Sequence, residues 1–142
     1  MPALQAILSA PAAGEDTSGL RYTAAYALGR IGPAAAPAVQ ALESLSASDD
    51  PLMATVAVWA LLKIEPTNAA RFEKAVPLLR TALRGDREMV RLEAAVSLGD
   101  IGPKAATAIP ILELVAEDDP VDAVRAAAKA ALDRIKGAGK NP

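Results

Sequence analysis

Cysteine and histidine are both missing from the 142 residues. Without cysteine there are no disulfides and no thiol catalysis, and the redox compartment is left open. Without histidine as well, zinc, haem and most general-base arrangements lose their usual ligands. Aromatics are scarce: two tyrosines, one tryptophan and one phenylalanine. Because 52% of the residues are apolar, the core must be built from Ala, Leu, Val and Ile at close range, which favours helices over a sandwich. Neither sign of charge dominates. Fifteen basic and seventeen acidic residues give −2, whereas nucleic acid and anionic membranes attract a concentrated positive field, so neither is expected as a partner. The longest apolar run, Pro51 to Leu62, is too short to span a bilayer. Met1 to Leu8 lacks the basic start of a signal peptide, although the alanine-rich stretch after it has the small residues of a cleavage site. A soluble chain is expected, with the cytoplasm favoured and the compartment otherwise open.

What is present is repetition. "ALGRIGPAA" from Ala27 returns as "SLGDIGPKA" from Ser97, and a worn copy, "ALLKIEP", lies between them from Ala60. With "ALDRIK" near the C-terminus, the leucines of these phrases are Leu28, Leu61, Leu98 and Leu132, at intervals of 33, 37 and 34 residues. Periods of this size signal consecutive supersecondary units. Each leucine has an Ala four residues before it (Ala24, Ala57, Ala94, Ala128), an aliphatic residue eight before (Leu20, Met53, Val90, Val124) and an Ile three after (Ile31, Ile64, Ile101, Ile135). Those offsets share one face at 3.6 residues per turn, so each leucine closes an amphipathic helix B.

Upstream of the later anchors, "AVQALESL", "AVPLLRTAL" and "AIPILELV" predict a helix A in each unit. Gly-Pro at 32–33 and 102–103 stops B and starts the next A. Asp49-Asp50 and Asp118-Asp119-Asp122 lie in the A–B turns; they lack the alternating ligand spacing of a calcium loop and are expected to cap helices B. Aligned on helix A, Leu4 falls opposite Leu42, Leu79 and Leu112, which puts Met1 in mid-helix. The first pair is therefore expected to be truncated, and the chain either continues upstream in a longer parent or covers this end by self-association. The first A–B connection carries about five extra residues, so "SAPAAGEDTSG", from Ser9 to Gly19, is predicted to be a surface loop. The predicted boundaries are 1–32, 33–66, 67–102 and 103–136 within one domain of residues 1–136, with 137–142 a flexible tail.

The phrase Val90-Arg91, Ala94-Ala95 and Leu98 to Pro103 resembles the short HEAT-like repeat of phycobilisome-lyase-type proteins and many bacterial scaffolds, and the resemblance covers nearly the whole chain. It implies an all-α, right-handed α-solenoid of about four helix pairs, with helices B lining a concave face. It also implies that Arg21, Arg91 and Arg125 each pair with an Asp of the preceding turn. Ala54 breaks that ladder in the second unit. Two catalytic branches of the wider family do not fit: the iron-binding hydroxylases use His-Glu pairs, and the DNA glycosylases use a basic, aromatic concave face.

Positions six and two residues before each anchor, and two after, lie away from the buried seam. They carry Tyr22, Tyr26 and Arg30, then Thr55, Trp59 and Lys63, then Leu92, Val96 and Asp100, and finally Ala126, Ala130 and Arg134. Three of the four aromatics share this ridge beside Arg30 and Lys63, and Tyr, Trp and Arg are enriched at interface hot spots. The same rings could instead fill gaps between neighbouring helices B, and for Trp59 both readings stand. Phe72 is assigned to the core, and the charged run from Arg80 to Arg91 to a solvated face.

No catalytic, cofactor or metal site is predicted. "GAGK" at Gly137 to Lys140 lacks the Gly and the Ser or Thr that a phosphate loop needs at Arg134 and Asn141. Gly29 and Gly32 follow no strand and are read as helix-end packing. The expected function is a non-catalytic protein-interaction scaffold that grips a helix or extended peptide along Tyr22, Tyr26, Trp59, Leu92 and Val96, oriented by Arg30, Lys63 and Asp100. Two alternatives remain: a tetrapyrrole-handling, lyase-like subunit, as the resemblance suggests, and a structural spacer.

Overall fold

The computed structural model describes residues 2–9 and 15–137, the side chains of 15 and 16 excepted. All regular structure among them is helical: α1 (Pro2–Ser9), α2 (Glu15–Ile31), α3 (Val39–Ser46), α4 (Pro51–Ile64), α5 (Ala69–Ala82), α6 (Glu88–Ile101), α7 (Ile109–Asp118) and α8 (Asp122–Gly137), with 3-10 segments at Gly32–Ala38 and Gly102–Ala108. The even-numbered helices are the four helices B. The expected tail lies, beyond Gly137, outside the described residues. The chain divides into two compact units, Met1–Arg71 and Phe72–Pro142.

In the first unit α4 packs on α2 and α3, and α1 lies on α2 and α3. Leu28 and Leu42 are fully buried, and Ala24, Ala25, Ala57 and Ala60 line the seam between them. Small side chains let helix backbones approach, while each buried leucine contributes about 1.5–3 kcal/mol relative to exposure. Leucines and alanines thus take the place that aromatics fill elsewhere. Asp50 caps α4 by accepting from Leu52 N–H at 2.9 Å, and Pro51 occupies the first turn.

The second unit follows the same plan. Both α6 and α7 pack on α8, around Leu98, Leu112, Val124, Ala128 and Ile135. A Cβ on Gly99 would lie 3.1 Å from the Ala131 Cα, so glycine sets how closely α6 and α8 meet.

The Gly-Pro signal reads out as geometry. Gly32 and Gly102 have φ of 77° and 75°, and each is followed by a 3-10 segment that begins the next helix A. In the worn copy Glu65 holds that position, and with a Cβ it takes φ −120° instead. The chain there turns through Asn68, whose side chain accepts from Ala70 N–H and donates to Glu65 Oε2. The 3-10 segment is skipped, and α5 starts directly at Ala69.

Three expectations need correction. The predicted loop Ser9–Gly19 is helical from Glu15 onward, and its residues 10–14 lie outside the described residues. Acidic residues suit a first helical turn, and Gly19, at about 1 kcal/mol in a helix interior, does not stop α2. Leu20 and Ile31, placed on the buried face by their offsets, are 56% and 43% exposed. Ala24 and Leu28 between them stay buried, so the seam holds the middle of α2 and leaves both ends of its face open. The arginine ladder also runs differently. Arg91 takes its carboxylate from Asp119, 28 residues onward in the following repeat, and reaches its own turn only through the Gly85 and Asp86 carbonyls, at 2.9 and 3.0 Å. Arg125 takes its carboxylate from Asp122 in the first turn of its own helix and reaches the preceding turn only through the Asp119 carbonyl.

Candidate functional site

The first-unit ridge is built by two helices. Tyr22 and Tyr26, one turn apart on α2, stack with centroids 6.5 Å apart and rings 11° from parallel. Trp59 of α4 continues the stack 5.0 Å beyond Tyr26, at 9°, and Lys63, one turn later, places Nζ 5.9 Å from the Trp59 ring. The indole lies across Gly29, where any Cβ would meet its Cζ3 at 2.3 Å. Parallel aromatic pairs contribute about 0.5–1.5 kcal/mol beyond their buried area, so the stack holds its members in place.

The three rings differ in exposure, and the middle one is the most open. Trp59 is 7% exposed, Tyr22 is half-buried, and Tyr26 is 38% exposed. Arg30 is exposed and Lys63 half-buried. The second-repeat ridge sinks because α4 is apolar nearly all round, and such helices bury every face. Thr55 is buried with it, donating to the Pro51 carbonyl at 2.6 Å. The signal that the indole lies against a helix was the glycine one residue after the Leu28 anchor, which leaves room for a ring from the next helix B.

In the second unit Val96 is 42% exposed and Leu92 half-buried. Asp100 accepts from Arg134 Nη1 at 2.6 Å. Those two hold the same register position in consecutive repeats, so the pair was readable from the sequence but was not read. Phe72 is half-buried, with Lys104 Nζ 4.9 Å from its ring.

The remaining charges are tied into structure. Arg91 Nε and Nη2 donate to Asp119 at 2.7 and 3.2 Å, with the two side chains 12% and 4% exposed. Burial pushes the Asp119 carboxyl up, but the hydrogen bond from Arg91, the Val121 N–H and the charges of Arg91 and Arg125 outweigh it and hold the group below its ordinary value. Glu65 is likewise lowered, by hydrogen bonds from Asn68 and Arg71. Arg71 also reaches Glu43 at 2.6 Å, tying α3 to the start of α5. Among the described residues no three metal-ligating side chains converge.

Consecutive helix pairs, each closed by an apolar seam and carrying an aromatic or aliphatic ridge, define an α-helical repeat protein. Residues 64–133 match HEAT repeats, and residues 20–48 match the PBS lyase HEAT-like repeat. The chain is a HEAT-like repeat protein. Comparison with curated proteins finds no match. HEAT repeats generally mediate protein interactions.

Proposed function

We propose that this protein is a non-catalytic interaction module whose helix-B ridge receives a helix or extended peptide bearing a carboxylate beside an apolar anchor. The observation that carries the reading is Tyr26: an exposed ring held on the Tyr22–Trp59 stack, with Arg30 one helical turn on and Lys63 against Trp59. A ring already fixed loses little freedom on binding, and aromatic and arginine side chains dominate interface hot spots. The first-unit ridge carries no acidic residue, so charge complementarity selects an acidic partner. Leu92, Val96 and Asp100 form the corresponding ridge of the second unit. Trp59, nearly buried, contributes by positioning Tyr26.

The test is selection of displayed peptides on the wild-type chain, followed by affinity measurement against a Tyr26→Ser, Arg30→Glu variant with unchanged helical circular dichroism. Acidic, apolar peptides that lose about tenfold or more in affinity, the hot-spot range of 1.4 kcal/mol upward, support the reading. Peptides that bind both chains equally would shift the assignment to a structural spacer. The match to the lyase-type repeat keeps tetrapyrrole handling as a second reading. Titration with a tetrapyrrole decides it: no absorbance change at micromolar protein removes that reading.

A further inference from the structure

The two units treat one arginine differently. Arg21 and Arg91 both stand seven residues before their anchors, Leu28 and Leu98, while Ser48 and Asp119 both stand thirteen before theirs, Leu61 and Leu132. The structure bears out that register. Ser48 Oγ accepts from Asp50 N–H at 3.1 Å, and Asp119 Oδ1 accepts from Val121 N–H at 2.9 Å, each from the amide two residues on. Ser48 therefore sits where the second unit has its carboxylate.

The consequence is an incomplete pair. Arg91 Nε donates to Asp119 Oδ2 at 2.7 Å. Arg21 Nε is buried without a hydrogen-bond partner among the described residues, and a buried donor left unmade is unfavourable. Beside it lies a cavity of about 420 Å³, lined by the polar residues Arg21, Ser9, Ser44 and Ser48 and the apolar residues Leu8, Ala41 and Leu45. Ser9 and Ser44 are exposed, so the cavity opens to solvent, whereas Leu8 and Leu45 are buried. Ser44 Oγ already donates to the Gln40 carbonyl at 3.3 Å; the guanidinium, the Ser9 and Ser48 hydroxyls and an aliphatic wall together match a carboxylate on a short aliphatic stem.

We propose that this cavity binds an aliphatic carboxylate, supplied as a free acid or as an acidic side chain, which takes the place that Asp119 fills in the second unit. The site lies apart from the aromatic ridge and does not depend on the ridge's function. The experiment follows the arginine Nε–H resonances of the whole chain by nitrogen-15 correlation spectroscopy. The Arg21 signal is identified as the one lost in an Arg21→Lys variant.

Sodium butyrate is expected to move that signal saturably in the millimolar range, with butyramide and matching sodium chloride leaving it in place. N-acetylglutamate N-methylamide, whose only charge is the side-chain carboxylate, separates the sources: movement with it as well supports a polypeptide ligand, and movement with butyrate alone supports a free acid. In a Ser48→Asp variant the internal carboxylate is expected to fill the site, so that the signal is displaced without ligand and no longer responds. No saturable movement through the millimolar range, movement matched by sodium chloride, or an undiminished response in Ser48→Asp would each overturn the proposal.

Discussion

Replacing Asp119 by asparagine separates the charge of its ion pair from its shape. The amide keeps an oxygen for the Val121 N–H but gives up the charge that receives Arg91 Nε and Nη2. Hydrogen bonds to charged groups contribute about 1.5–3 kcal/mol, and breaking a fully buried pair costs about 3–5 kcal/mol. At 12% and 4% exposure the pair approaches the buried case, yet Arg91 retains the Gly85 and Asp86 carbonyls, which keeps the loss nearer the lower range. The expected loss at neutral pH is about 2–3 kcal/mol. With a urea slope of about 1–3 kcal/mol/M, the unfolding midpoint followed by far-ultraviolet circular dichroism falls by about 0.7–3 M.

The control is Glu113→Gln. Its pair with Lys136 is 3.5 Å long and about half exposed, so the unfolding free energy should change by less than about 0.5 kcal/mol. Acid supplies the second half of the test. The native Asp119 carboxyl titrates below its unfolded value of about 3.9, so the unfolded chain binds the extra proton as pH falls. The stability contributed by the charge is complete above that value and disappears as pH drops through the native one. The gap between wild type and Asp119→Asn should close in that window. A gap under about 0.5 kcal/mol at neutral pH, or one that persists undiminished in acid, would refute the assignment of a stabilising charge pair.

Three further substitutions probe the scaffold. Gly29→Ala gains about 1 kcal/mol in helix propensity but places a Cβ 2.3 Å from Trp59 Cζ3; a net loss of about 1–2 kcal/mol is expected, relieved in a Trp59→Leu background, and equal losses in both backgrounds would disprove the contact. Gly102→Ala meets no neighbouring atom, but its φ of 75° strains any side chain, so a drop of about 1–3 kcal/mol is expected from the backbone alone; an unchanged thermal midpoint would contradict it. Asp50→Ala removes the cap of α4 and should cost about 1 kcal/mol, with Asp50→Asn recovering most of it; failure of the asparagine to recover stability would argue against capping.

The helix pairs were legible because their signals are local. Four leucine anchors with Ala and Ile at fixed offsets specify a face, and Gly-Pro specifies a stop, whatever the partner helix. Two features escaped for a shared reason: each depends on what lies across the seam. The partner of Arg91 is on the next turn, 28 residues away, and no intrahelical spacing points there. Leu20 and Ile31 carry the correct pattern, yet the seam holds only the middle of α2, at Ala24 and Leu28, and leaves both ends open. For Trp59 register alone leaves ridge and packing equally open, and the structure buries it where Gly29 on the preceding helix B admits its ring. On the ridge itself, the grouping of Tyr22, Tyr26 and Trp59 was readable from register alone. Their near-parallel stacking and unequal exposure were not, since both arise from the approach of two helices.

All three strong ultraviolet chromophores stand in one stack within the first unit. Tyrosines so close to an indole, with rings nearly parallel, hand their excitation energy to it before they can emit. The folded chain should glow as though it contained tryptophan alone. When α2 and α4 part, tyrosine emission emerges, so the first unit carries its own optical gauge of opening, with no added label.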